Sequence, residues 1–348
     1  MKDIRNTEYV EYNNSIRFIA IIGVLMIHIS AYGLTNESIG PMKWYVLTFF
    51  NCSGRIGVPF FVMVAGAIWL NLHKNVTLDK LLHKNIKKIV VAFFMWSWIY
   101  AISYLIGTGT EWNVSVIGLF VKRCVVGHYH MWYIQMMAVL YLVIPMIRQV
   151  IQKKELYNLI LIFSFVTGFV FPLIVKIPVL DWMSEIVDNM SISVFSSYIF
   201  YLLLGDYIRQ TNWDKNRRFL LYIMAVLAST ARFYILIIQN RGYDISYLDV
   251  NGNDDLLLLV QSVGLYVFMK HFNSYFNNSK LIAIVAKYSF FIYLSHDLVL
   301  QILFMFGINA SIFISLLMVP LIVLFVLVVC ILMASLLSKM EWFQKYYL

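Results

Sequence analysis

Ten almost wholly apolar residues separate an arginine from a histidine in Arg17-Phe-Ile-Ala-Ile-Ile-Gly-Val-Leu-Met-Ile-His28. On a helix, eleven steps of ~100° return His28 to within about 20° of the Arg17 face, roughly 16 Å along the axis. A fixed cation at the mouth and a titratable imidazole further in suit an anionic ligand. The plainer alternative has Arg17 snorkelling to headgroups and His28 bonding a neighbouring helix. In Gly127-His128-Tyr129-His130-Met131-Trp132-Tyr133 the two histidines stand at i and i+2 and share no helix face, so no metal site is expected. An aromatic belt accounts for Trp132 and Tyr133, and His130 is left as a cavity candidate. Ser295, His296 and Asp297 are consecutive, hence about 100° apart on a helix, which is no triad. His296 and Asp297 can still serve one cavity from different angles. The stretch Asn51 to Gly66 holds Gly54, Arg55, Gly57 and Pro59. Such a break frees backbone groups that a bilayer tolerates only where protein or a cavity satisfies them. Arg55 therefore either lines a cavity or pairs with a freed carbonyl. Lys80, Lys84, Lys87 and Lys88 form one basic helical face, suited to anionic lipid or to the phosphates of a nucleotide-like donor. Walker, GxGxxG, CxxC and HExxH motifs are absent, which leaves an ATPase, a dinucleotide enzyme or a zinc peptidase without support.

The elements that carry these residues must lie in lipid. Of 348 residues 61% are hydrophobic and 13% charged, far too little polar surface for a soluble domain. The expected fold class is all-α: a polytopic helical bundle, one membrane domain over residues 1–348 with no extramembrane domain. About 20 apolar residues span a bilayer, which places ten spans near 16–33, 44–72, 89–107, 129–147, 156–175, 192–208, 219–238, 255–270, 281–303 and 312–337. The second is expected to be broken, and the eighth is short. With both termini on the cytoplasmic side, 18 of the 27 Lys and Arg residues fall on that side and five on the other, a positive-inside pattern. The net charge of +9 is clustered in loops, which points to lipid and not to nucleic acid. Acidic residues mark the outer segments 180–188 and 242–255. Cys52, Cys124 and Cys330 are widely spaced and read as buried thiols without a metal or disulfide framework. No cleaved signal peptide is expected.

Taken together, four segments in order resemble the acyltransferase-3 family of membrane acyltransferases. They are Arg17 with His28; Arg-x-Gly-Val-Pro-Phe-Phe-x-Met-x-x-Gly at Arg55 to Gly66; His130, Trp132 and Tyr133 with Tyr141, Leu142 and Pro145; and Tyr288 to His296. The resemblance covers nearly the whole chain. It implies transfer of an acyl group, usually acetyl from acetyl-CoA, to a hydroxyl of an envelope glycan or a lipid-linked sugar, in a bacterial cytoplasmic membrane. No bound cofactor is implied. By the resemblance His28 is the central catalytic residue and Arg17 its partner. Lys84, Lys87 and Lys88 match the family's Arg-rich cytoplasmic segment in charge alone. Ala65 stands where a serine is common, and Asp297 where a proline often follows the histidine.

The expected mechanism docks CoA on Lys84, Lys87, Lys88 and Arg17, with the acceptor entering from the outer face past Trp132, Tyr133 and the acidic loops. His28 acts as general base or takes the acyl group itself, and Arg55 or His296 stabilises the oxyanion. The rival class is a carrier for a small amino acid or an exporter of polysaccharide, for which a broken span is also typical.

Overall fold

The computed structural model describes residues 2–74, 76–77, 79–109, 114–176, 195–241, 250–276, 279–311 and 314–347. Most of the two acidic outer segments, at 180–188 and 242–249, lies outside the described residues. Every regular element among those described is helical, as the bilayer requires of backbone that cannot reach water. Among the described residues eight helical stretches are long and apolar enough to cross a membrane. The places of the sixth and eighth expected spans are taken by two sixteen-residue helices, α8 (Phe195–Gln210) and α10 (Leu256–His271).

α1 (Lys2–Asn36) is the centre of the bundle. It packs against α2 (Met42–Gly54), α3 (Gly57–Trp69), α11 (Lys280–Met305) and α12 (Ser315–Leu337). One side of it gives Ile21, Leu25 and Ile29 to a core shared with α11 and α12. Another gives Tyr12, Ile16 and Ala20 to a core built with α3, α8 and α10. Because α1 is one unbroken helix, Arg17 and His28 keep the depth and the shared face that their spacing predicts.

Between α3 and α6 (Trp132–Val150) come α4 (Lys87–Gly107) and α5 (Val114–Val126). α5 is an addition to the expected spans, carrying Lys122 and Arg123 in an otherwise apolar helix. The Arg123 guanidinium lies 3.2 Å above the Tyr104 ring, so α4 gives that charge a face to rest on. α7 (Lys154–Val175) and α9 (Lys215–Asn240) complete the wall, and a short α13 (Glu341–Tyr347) closes under α4 and α11.

The second span is broken as expected, at Arg55 and Ile56 between α2 and α3. Pro59 falls in the first turn of α3, where the missing N–H has no intrahelical partner to lose. Fully buried Arg232 of α9 reaches the break and donates to the Cys52 carbonyl at 3.2 Å. The same guanidinium donates to Asp255 at 2.6 Å, to the Gln261 side chain at 2.9 Å and to the Val250 carbonyl at 2.9 Å. Asp255 in turn caps α10 by accepting from the Leu257 and Leu258 amides. One residue thus ties α2, α9 and α10 together in a dry place. Removing one partner of such a pair strands the other. Arg232→Met is expected to destabilise the protein by about 3–5 kcal/mol, read as a lowered unfolding midpoint of the detergent-solubilised protein; an unchanged midpoint would show the network to be dispensable.

α3 and α8 cross with their backbones in contact. A Cβ placed on Gly66 would overlap the Leu202 carbonyl oxygen, and one on Gly205 the Met63 carbonyl oxygen. Small residues at both faces of a crossing are how membrane helices approach closely.

Candidate active site

Gly127 ends α5 with φ +81°, a backbone region that glycine enters without strain. His128 is therefore extended, and Tyr129–Met131 form a single tight turn before α6 begins. His128 lies outside any helix and His130 in a single 3-10 turn, so the α-helical face argument against their meeting does not apply. Their Nδ1 atoms lie 3.0 Å apart.

α11 brings Asp297 to the same point. Its Oδ1 accepts from the Tyr129 hydroxyl at 2.7 Å, and its Oδ2 accepts from the Gln301 amide nitrogen at 2.8 Å and lies 3.6 Å from His128 Nδ1. The preceding residue of the same helix, His296, directs Nδ1 at the Tyr293 carbonyl, 2.6 Å away. α11 carries both His296 and Asp297 into one side-chain cluster with α1 and the 127–131 turn, and neither lines the cavity beside Arg17.

There His28 completes the cluster. Its ring centroid is 5.0 Å from His296, 5.5 Å from Tyr129 and 6.1 Å from His130, and His130 is 5.0 Å from His296. His28 Nδ1 lies 3.2 Å from the Tyr129 oxygen. The Tyr129 proton is already given to Asp297, so His28 must be the donor in that contact. This fixes its proton on Nδ1 and leaves Nε2 with a free lone pair. Asp297 through Tyr129 thus holds His28 in the tautomer a general base needs. The donor atoms of His128, His130 and Asp297 lie within 4.8 Å of one another, close enough to surround a cation. His128 and His130 share a hydrogen bond between their Nδ1 atoms, while Asp297 accepts from Tyr129 and Gln301.

Toward the other end of α1 a cavity of about 340 Å³ opens among basic residues. Arg17, Asn85, Lys88 and Lys287 line it together with Tyr133 and Tyr293. Tyr347 of α13 contributes a wall, and burial pushes its phenol up to about 12, so it stays neutral there. None of the four histidines lines the cavity. They stand behind Tyr293, whose ring is 5.6 Å from His130 and 6.0 Å from His296 and 5.3 Å from Tyr133. The Tyr293 hydroxyl donates to the His130 carbonyl and locks that wall to the 127–131 turn. On the far side Tyr129 is 61% exposed, so the cluster also reaches the opposite surface.

The remaining sequence candidates divide. Lys88 lines the cavity, whereas Lys84 and Lys87 are exposed outside it. Arg55, expected with the donor-binding lysines, is held elsewhere: it donates to the carbonyl of Asn251 and at 3.1 Å to the Asn251 side chain. The kink-pairing alternative describes it better than the cavity one. Trp132 is 41% exposed and packs on Tyr198, as a belt residue would. Sequence reasoning omitted Tyr129, His128, Gln301 and Lys287 from the site. The positive-φ glycine ahead of His-Tyr-His was the signal that the helix starts later.

The acyltransferase domain of the acyltransferase-3 family matches residues 10–336, so this chain belongs to that family and is a multi-pass membrane acyltransferase by family. It is similar to a probable poly-beta-1,6-N-acetyl-D-glucosamine export protein of Staphylococcus aureus (strain MSSA476). The two are 23% identical over 290 residues, covering 79% of this chain and 77% of that protein. A protein of the same description from Staphylococcus epidermidis is 35% identical over 111 residues, covering 31% of this chain and 30% of the relative. No solved structure matches.

Proposed function

We propose that the protein moves an acetyl group from cytoplasmic acetyl-CoA to a hydroxyl of a cell-envelope glycan or lipid-linked sugar, with His28 as the general base. The observation that carries the reading is what meets at Tyr293: a basic cavity that this residue lines and a polarised histidine cluster that its ring contacts. Arg17, Lys88 and Lys287 offer three cations to an anionic donor. A cavity of about 340 Å³ suits the acyl-bearing arm of the donor, with the nucleotide staying at the rim near Lys84 and Lys87. That side is the cytoplasmic one by the distribution of basic residues.

In the reaction the acceptor hydroxyl attacks the thioester carbonyl while His28 Nε2 takes its proton. The new C–O bond forms, the tetrahedral centre collapses with loss of the C–S bond, and the imidazolium returns the proton to the CoA sulfur. The direct test is acetyl-labelled acetyl-CoA with protein in liposomes and an envelope glycan fraction outside. Label on the glycan supports the reading, and no CoA release under any loading sinks it. Arg17→Gln is expected to raise KM for acetyl-CoA roughly 10-fold or more, the worth of a lost charged hydrogen bond, with kcat little changed. An unaltered KM would remove Arg17 from donor binding.

The relatives named as export proteins favour a second reading, movement of a polysaccharide itself. Entry of labelled poly-N-acetylglucosamine into vesicles without any acyl-CoA distinguishes it.

A further inference from the structure

Two ring nitrogens in the cluster, His130 Nε2 and His296 Nε2, are buried and make no hydrogen bond of normal geometry, and the Leu294 backbone stands beside the His130 ring. Their protonation states follow from what holds the other edge of each ring, since tautomers are assigned from partners. His296 Nδ1 faces the Tyr293 carbonyl at 2.6 Å and must carry the proton, so its Nε2 is a bare lone pair and cannot donate.

His130 is set by a longer chain. The Gln301 amide is oriented by Asp297 Oδ2 at 2.8 Å, because a carboxylate accepts from the nitrogen and repels the oxygen. Its oxygen accepts from Ser103 Oγ at 3.3 Å, consistent with that orientation. The second hydrogen of the same nitrogen is then available to His128 Nε2 at 3.4 Å, which must be the acceptor. His128 therefore carries its proton on Nδ1, facing His130 Nδ1 at 3.0 Å with Asp297 Oδ2 3.6 Å away. His130 Nδ1 accepts, and the His130 proton sits on Nε2.

We propose that His130 is the oxyanion donor of the acyl transfer: its Nε2–H polarises the acyl carbonyl held between His28, His130 and His296. This rests on the acyltransferase reading above and assigns the carbonyl to a residue other than Arg55 or His296. Arg55 is engaged with Asn251, and His296 has no proton to give at Nε2. Three rings with centroids 5.0, 5.0 and 6.1 Å apart bring one N–H and two lone pairs into a single cluster. A carbonyl under attack by a hydroxyl needs that set: a donor for the developing O⁻ and an acceptor for the leaving proton. His28, tied to Asp297 through Tyr129, takes the proton. The His128–Asp297–Gln301 chain, which lies on the far edge of His130, orients the donor.

The test uses full-length protein in liposomes and three readouts. Isotope-edited infrared spectroscopy of bound acetyl-CoA carrying a ¹³C carbonyl is expected to show the thioester stretch shifted to lower frequency in wild type and unshifted in His130→Met. Turnover in His130→Met should fall roughly 100- to 1000-fold with KM for acetyl-CoA unchanged. His130→Gln, whose amide N–H comes close to the Nε2 position, should recover part of both signals, which a merely structural role would not give. Histidine ¹⁵N spectra should place the proton of His130 on Nε2 and that of His296 on Nδ1. His130 protonated on Nδ1, or a bound thioester whose frequency ignores the His130→Met change, overturns the assignment. Stoichiometric zinc lost on both His130→Met and Asp297→Asn would overturn it too, replacing the relay by a metal centre. Failure of acetyl-CoA to bind wild type at all refutes the donor reading and the assignment with it, while normal ¹⁵N tautomers in that case leave the proton chain standing.

Discussion

His28→Ala is expected to lower acyl transfer roughly 100- to 10,000-fold, the span general-base catalysis contributes, while acetyl-CoA still binds. The separation of effects comes from geometry. His28 does not line the cavity with Arg17, Lys88 and Lys287, so truncating it leaves the donor's anionic contacts in place. What is lost is the Nε2 lone pair and the end of the chain Asp297–Tyr129–His28, with links of 2.7 and 3.2 Å. Tyr129→Phe removes the middle link without touching the base. It is expected to be intermediate, because His28 then chooses its tautomer freely. Single-turnover release of CoA, measured beside equilibrium binding of acetyl-CoA, separates the two effects. Full transfer by His28→Ala would place the chemistry elsewhere, and loss of binding in step with turnover would make His28 a structural residue.

The second large effect is on folding. Gly66→Ala or Gly205→Ala puts a methyl group into a backbone carbonyl across the α3–α8 crossing. Neither neighbour is a side-chain tip that can swing away, so the helices must separate along the contact. The core shared by Phe60, Val62, Met63, Leu202 and Leu203 opens with them. Overpacking costs typically 1–3 kcal/mol when side chains can adjust, and a backbone obstruction exceeds that range. Each single variant is expected to lose most of its monodisperse fraction on size-exclusion chromatography in mild detergent. A profile like wild type for either would show that the crossing is looser than this packing implies.

The lipid-facing side of the fold was readable because the bilayer makes composition decisive: an apolar run of sufficient length has one outcome. The broken second span was readable for the same reason, since glycines and a proline in such a run have no other explanation. The Arg17–His28 relation followed from helix periodicity alone and survives because α1 is uninterrupted. What the sequence could not supply was which helices face each other. Asp297 gains its role only when α11 packs on α1 and meets a turn 168 residues earlier in the chain. His128 was set aside by a helical face rule, and a single glycine with positive φ takes it out of the helix. Arg55 drew attention as a charge beside a break. Arg232, on a different helix, is the residue that satisfies the carbonyl there.

Tyr133 and Tyr293 have a consequence for the cell that has nothing to do with rate. A basic cavity open to one side and a cluster reaching the other leave these two rings, 5.3 Å apart, where the bilayer's insulation is thinnest. A membrane that stores energy as a proton gradient cannot accept a chain of waters through that point. Packed phenols, one of them anchored to the His130 carbonyl, stand across such a chain. On the proposed function, an enzyme built this way would hand on a chemical group at that point without the rocking halves on which carriers depend.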